Sequence, residues 1–207
     1  MKKKRLLENI IHGVFLILGL ITVGCVLLIS VYLIISGIPA IKEIGLIDFL
    51  FGKEWASSAD DPKYGILPFI LTSIYGTAGA IVIGVPIGFM TAVYLSKMAS
   101  PKVKSAMQTA VSLLAGIPSV VYGFFGLVIL VPFVRDNFGG RGMSVLAASI
   151  LLALMILPTI ISMSESAIRA VPRAYYEGGL ALGATHERSV FFTVVPAAKS
   201  GIFAGIT

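Results

Sequence analysis

Charged residues along the chain are clustered, and four long stretches between the clusters carry none. Asn9–Ile41, Tyr64–Ser96, Ser105–Val134 and Gly142–Ser164 contain no Asp, Glu, Lys or Arg over 33, 33, 30 and 23 residues. About 20 apolar residues in a helix suffice to cross the hydrocarbon core of a bilayer. The pattern therefore predicts an all-α, polytopic membrane protein with four spans, roughly Ile10–Ile35, Ile66–Leu95, Ala106–Val134 and Met143–Ser164. Four such windows leave too little of the 207 residues to cover them as buried helices of a soluble protein. The first apolar run is about twice the ~7–15 residues of a signal-peptide core, and no small-x-small cleavage site follows it, so it reads as an uncleaved helix. After Lys199 only Ser200–Thr207 remain, all apolar or small. As helix they cover ~12 Å of a ~30 Å core. The chain is thus expected to be a fragment that stops inside a fifth span.

Composition agrees: 57% hydrophobic and 13% charged residues, with a mean hydropathy of +0.98, where a soluble domain is about a quarter charged. One cysteine, Cys25, and two histidines exclude a disulfide scaffold and a Cys/His zinc site. The net charge of +6 is not interleaved with aromatics as in a nucleic-acid surface, so no nucleic-acid partner is expected. The bases sit between apolar runs instead and orient the chain. With the N-terminus inside, Lys2, Lys3, Lys4, Arg5, Lys97, Lys102, Lys104, Arg169, Arg173, Arg188 and Lys199 are internal, against Lys42, Lys53, Lys63, Arg135 and Arg141 outside. The positive-inside rule places residues 1–9 in the cytoplasm and the loop 36–65 outside. In that loop Ile38–Ile41 and Ile44–Phe51 are apolar enough to lie flat in the interface.

Small residues and prolines mark the spans. Gly76, Ala80, Gly84, Gly88 and Ala92 recur every four residues, and Ser112, Gly116, Ser119, Gly123 and Gly126 at spacings of 4, 3, 4 and 3. Small residues repeated on one face let helix backbones approach closely in lipid. Pro86, Pro118 and Pro158 each remove a backbone donor within a span. Broken backbone in a membrane persists only where protein or a water-filled cavity receives it. Two readings fit: ordinary helix packing, or a transport path, best marked around Gly116, Pro118, Ser119, Tyr122 and Gly123. No ionisable side chain lies deep in a span, which argues against a proton relay or voltage sensor and leaves a pathway powered by another subunit.

The inner loop 165–199 has a helical plan. Pro172 suits a first helical turn, Gly183 a left-handed C-terminal cap, and Thr185 an N-cap for a second helix running toward Pro196. Ala167, Ala170, Ala174, Gly178 and Ala181 form a smooth stripe. It is read either as a seat for another protein or as packing on the chain's own helix ends.

On these residues the chain resembles a known family. Glu177-Gly178-Gly179, three residues, Gly183, nine residues, then Thr193-Val194-Val195-Pro196 is similar to the EAA motif of ABC importer permeases, E-A-A, three residues, G, nine residues, I-x-L-P. Glu177, Gly183 and Pro196 match in identity; Gly178 and Gly179 replace alanines, Thr193 isoleucine and Val195 leucine. Tyr64-Gly-Ile-Leu-Pro-Phe-Ile-Leu-Thr72, Gly116-Ile-Pro-Ser-Val-Val-Tyr-Gly-Phe-Phe-Gly126, Ile156-Leu-Pro-Thr159, Ala167-Ile-Arg-Ala-Val-Pro172 and Leu180-Ala-Leu-Gly-Ala-Thr185 resemble phosphate-specific permeases, of PstC type rather than PstA type. The resemblance covers roughly residues 60–207. It implies the MetI-like fold of type I ABC importer permeases, with four full spans here and the start of a fifth. It also implies a bacterial or archaeal cytoplasmic membrane, a second (PstA-type) permease, a cytoplasmic (PstB-type) ATPase dimer and an extracytoplasmic (PstS-type) phosphate-binding protein. Ala174, Glu177, Gly178, Ala181, Gly183 and Pro196 would meet the ATPase. The chain has no G-x-x-x-x-G-K-[ST] loop, so ATP and magnesium belong to the partner and no cofactor or catalytic residue is expected here. A permease for another oxyanion or small nutrient, and a non-transporting membrane scaffold, are the alternatives.

Overall fold

The computed structural model describes the backbone of residues 2–206 and the side chains of residues 8–206. The side chains of the basic cluster Lys2–Arg5, counted above for orientation, lie outside the described residues, as does Thr207. Two compact units divide at Ile70 and Leu71.

The first unit begins with helix α1, Lys2–Ile44, which continues through Pro39. The stretch Ile38–Ile41 is therefore part of this helix and not a separate segment lying flat. Its apolar side chains from Ile10 to Ile38 are largely exposed, the distribution of a helix solvated by lipid. Gly45, at φ +89°, turns the chain into the short helix α2, Leu46–Phe51. Strands β1, Trp55–Ala56, and β2, Lys63–Tyr64, pair antiparallel with Trp55 opposite Tyr64, a small departure from the expected all-α chain. Trp55 meets the rings of Tyr64 and Phe69 edge-on, at 5.8 and 5.5 Å between centroids. An exposed ion pair joins Glu54 and Lys63. The hydrogen bond and charge of Lys63 hold the Glu54 carboxyl below its usual range, and Glu54 raises the Lys63 ammonium in return.

The second unit is built around α3, Leu67–Lys97, and α6, Val145–Ala170. Gly79 faces Ser149, Gly84 faces Ala153 and Ile156, and Gly88 faces Ile160, so residue numbers rise together and the helices run parallel. A Cβ on Gly88 would stand 2.8 Å from Ile160. Gly76, Ala80, Gly84, Gly88 and Ala92 are all buried, and the Ser149 hydroxyl donates to the Gly76 carbonyl at 3.2 Å. The four-residue repeat of the second span is thus a packing seam. Two parallel spans require the chain between them to run back in the opposite direction.

That return differs from the expected single helix over Ala106–Val134. The structure has α4, Pro101–Ala115, a break at residues 116–118, and then α5, Ser119–Phe138, with a π-turn at Gly126–Leu130. Pro118 has no N–H to give and takes φ −59° and ψ 140°, outside the helical region. The crossing segment therefore starts at Ser119, and α4 is a separate helix with only Val111 buried. Leu130, Val134 and Ala147 join α5 to α6 in a small core.

At the other end α6 runs six residues past the expected Ser164. Beyond it come α7, Arg173–Ala181, α8, residues 186–197 with a π-turn at Val190–Val194, and α9, Lys199–Ala204. Val93, Ile168, Val190, Val194, Ala198 and Ile202 form one buried cluster that seats α8 and α9 on α3 and α6. Gly201 lies over Ala167 and Gly205 over Met163, so α9 turns back along α6 in the opposite direction. Both π-turns end two residues before a proline, Pro132 and Pro196. The residue preceding each proline donates five residues back, Val131 to Gly126 and Val195 to Val190. The wide turn gives room to a ring that cannot donate.

Candidate coupling and pathway sites

Two places carry the residues singled out by the sequence, the α7–α8 hairpin and the α4–α5 break; a third is the junction of α4 with the end of α6.

In the hairpin, Pro172 caps α7 at φ −56° and ψ 140°. At the other end Gly183 stands at φ +82°. Its N–H bonds the Leu180 carbonyl at 2.9 Å, and the Ala184 N–H bonds Gly179 at 3.1 Å, the paired pattern of a Schellman cap. The Arg188 N–H then donates to the Thr185 hydroxyl at 3.3 Å, starting α8. Inside the hairpin Gly179 abuts Ser189, whose hydroxyl donates to the Tyr176 carbonyl at 2.8 Å. Tyr176 Oη and His186 Nδ1 are 2.7 Å apart. One face of α7 is thereby fixed to α8.

The opposite face has no cover within the described residues. Ala174, Glu177, Gly178 and Ala181 are exposed, as are Gly183 and Pro196, and Leu182 is 91% exposed. Nothing stands within 4 Å of a Cβ built on Gly178. The stripe drawn from Ala167 to Ala181 is not one surface, however. Val171 and Pro172 separate α6 from α7, and Ala167 packs beneath Gly201. Packing on the chain's own helix ends thus accounts for Ala167 and not for Ala174, Gly178 or Ala181.

At the break, Gly116 closes α4 by donating to the carbonyls of Ser112 and Leu113. The Tyr122 hydroxyl reaches back across it to the Leu114 carbonyl at 3.0 Å, which also accepts from the Ile117 N–H at 3.2 Å. Gly116, Pro118 and Ser119 are exposed, while Tyr122 and Gly123 are half-buried. Of the repeat Ser112–Gly126 only Gly126 is buried, against Leu151. Tyr122 therefore pins the bend, and Ser119 is the hydroxyl left facing outward.

The junction was not singled out by the sequence reading. Glu165, one turn before the end of α6, is 6% exposed. Its Oε1 accepts from Gln108 Nε2 at 2.8 Å, Lys104 Nζ at 3.1 Å and Arg169 Nη1 at 3.4 Å. A cavity of about 340 Å³ lies beside it, lined by Gln108, Ser112, Ser162, Ser166 and Arg169 among others. Two signals were present: the i, i+4 spacing of Glu165 and Arg169, and Gln108 as the one side-chain amide of its window. Counting spans by missing charge assigned Glu165 to a loop.

No group of three or more His, Cys, Asp or Glu able to hold a metal occurs among the described residues. Two parallel spans joined by a returning one, followed by a capped helical hairpin on the basic side, define a membrane component of a transport system. The chain belongs to the family described as binding-protein-dependent transport system inner membrane component, whose pattern it matches over residues 84–207. It is 40% identical over 183 residues to "Probable ABC transporter permease protein YqgH" of Bacillus subtilis, covering 87% of this chain and 59% of that protein. It is 31% identical to "Phosphate transport system permease protein PstC" of Xylella fastidiosa (77% and 55%) and 29% identical to "Probable phosphate transport system permease protein PstC" of Methanocaldococcus jannaschii (89% and 65%). The chain spans about three-fifths of the length of these relatives. Among solved structures, it superposes on a chain of the MetNI methionine ABC transporter in an inward-facing conformation with a TM-score of 0.53 at 25% identity, over 69% of this chain and 64% of that one. The fold is that of ABC importer permeases.

Proposed function

We propose that this chain is a permease subunit of an ATP-driven importer of inorganic phosphate, paired with a second, PstA-type permease. A PstB-type ATPase dimer supplies ATP hydrolysis from the cytoplasm, and a PstS-type binding protein delivers phosphate from outside. The N-terminus and the α7–α8 hairpin face the cytoplasm. The observation that carries the reading is the hairpin: it is braced from behind by Tyr176, Gly179 and Ser189, and its small-residue front is left uncovered. Such a face admits a groove of another protein at close range. Ala174, Gly178 and Ala181 provide the fit, Glu177 a hydrogen bond or ion pair at its edge, and Gly183 and Pro196 the shape. The names borne by the relatives favour phosphate over other oxyanions.

The exposed side of the α4–α5 break, with Gly116, Pro118, Ser119 and Gly123, is proposed to border the path. Hydroxyls, backbone N–H groups and the positive end of a helix attract an anion moderately, and conduction needs binding weak enough for release. In proteoliposomes holding this chain with both partners, external phosphate and the binding protein are expected to stimulate ATP hydrolysis and phosphate uptake together. Stimulation by sulfate or molybdate instead would reassign the substrate. Absence of ATPase co-purification would reduce the chain to a scaffold.

A further inference from the structure

Glu165 is the one acidic side chain buried among the described residues, and a carboxylate withdrawn from water at a membrane boundary is retained only if its partners compensate. The partners come from two helices. Lys104 and Gln108 are one turn apart on α4, and Arg169 is one turn further along α6. All three converge on the same oxygen, Oε1. An oxygen with two lone pairs does not satisfy three donors equally, and the longest contact, 3.4 Å, is to Arg169, whose side chain is 58% exposed.

The surroundings make this contact decisive for α4. That helix buries only Val111, which packs with Leu95 and Ile161, and the space beside Glu165 is a cavity instead of packed side chains. At its C-terminal end α4 stops at the Gly116–Pro118 break. Arg169, for its part, lies four residues before Arg173, the first residue of α7. The chain thus places one carboxylate between the hairpin and the bend.

We infer that Glu165 is a positioning residue that passes movement of the α7–α8 hairpin to α4, and through α4 to the break at Gly116–Pro118. When α7 is drawn away, Arg169 leaves Oε1, Lys104 and Gln108 take a larger share of it, and α4 shifts into the neighbouring cavity. The inference rests on the reading of the chain as an ATP-driven permease.

The test is the number of phosphate ions imported per ATP hydrolysed by the assembled transporter in proteoliposomes. Misfolding lowers uptake and hydrolysis together and leaves this ratio unchanged; loss of the link lowers the ratio. Glu165→Gln and Lys104→Met are each expected to reduce it at least fivefold, with the ATPase still co-purifying. Lys104→Arg, which keeps a charged donor for the same oxygen, should retain at least half of it. Lys104→Met removes a donor without emptying a buried position, so it reads the link even where Glu165→Gln does not assemble. An unchanged ratio in Lys104→Met, or a Lys104→Arg transporter no better coupled than Lys104→Met, overturns the inference. A wild-type transporter answering to another anion corrects the substrate and leaves the comparison of ratios intact.

Discussion

Two helices of this chain carry small residues at nearly the same spacing and use them in opposite ways. On α3 the series Gly76, Ala80, Gly84, Gly88 and Ala92 is buried against α6. On α7 the series Ala174, Gly178 and Ala181 is exposed, with open space around Gly178. A small-residue face specifies how near a neighbour can come, not which chain supplies it. The partner is decided by what else is on the helix. The α3 face lies between apolar flanks that lipid also solvates; the α7 face lies beside Glu177 and Arg173, in a segment too charged to cross the membrane. Close approach on α3 is satisfied within the chain, and on α7 it is left open among the described residues.

The comparison breaks most sharply at Gly88. Leucine there has to displace Ile160, and overpacking a close seam costs about 3 kcal/mol. Purified Gly88→Leu should lose several degrees in melting temperature and insert poorly; unchanged melting would mean that α3 and α6 do not touch as described. Gly183→Val comes next. At φ +82° a β-branched side chain is strained by about 1–2 kcal/mol. The cap should open and transport coupling fail while the spans stay inserted. Normal transport in that variant would remove the hairpin from the coupling path. Tyr122→Phe removes the bond that ties α5 back to the Leu114 carbonyl, which keeps only the Ile117 N–H, for about 1 kcal/mol. It should also raise labelling of a cysteine at Ser119 by a water-soluble thiol reagent, in a Cys25→Ala background; equal labelling would show that the bend holds itself. Gly178→Leu should change stability by no more than about 0.5 kcal/mol and yet abolish capture of the ATPase. If it destabilises as Gly88→Leu does, the two faces are alike after all.

The smallest effect belongs to the exposed pair of Glu54 and Lys63. A carboxyl held below its usual range favours the folded hairpin while ionised, so that contribution is present at neutral pH and fades as the pH falls through the lowered value. The raised Lys63 adds the mirror case, full below the ordinary lysine range and lost as the pH rises through the raised value. Glu54→Gln should give the emission of Trp55, the sole tryptophan, at neutral pH the value the unmodified chain reaches in acid, with no further response to acid. Unmodified emission at neutral pH together with a retained response to acid would show that the pair contributes nothing there.

Much of this was legible in the residues, for physical reasons. Spans show as missing charge because lipid penalises charge everywhere along them. The α3 seam, the Gly183 cap and the Thr185 cap show because each needs a residue type at a fixed offset. The expected single helix over Ala106–Val134 failed because α4 carries no charge after Lys104, so window counting joined it to α5; Pro118 was the mark that divides them. The first span, expected to end at Ile35, runs on through Pro39 to Ile44. The π-turns before Pro132 and Pro196 leave no periodic signal, since each adds only one residue. Glu165 was hidden by its place at a window's edge, where a charge looks solvated until α4 is seen to cover it.

The parallel seam also has a consequence in time. Gly76 and Ser149 are 73 residues apart, and a ribosome adds about 5–20 residues per second. Helix α3 therefore waits on the order of 4–15 s with its glycine face bare before the matching stretch of α6 has even been made. During that interval the α3 face is matched by no later part of its own chain, and another nascent membrane helix with a small-residue face is a rival for it. Slowing synthesis between residues 98 and 144 should lengthen this exposure and lower the yield of assembled protein, although every contact in the finished molecule stays the same.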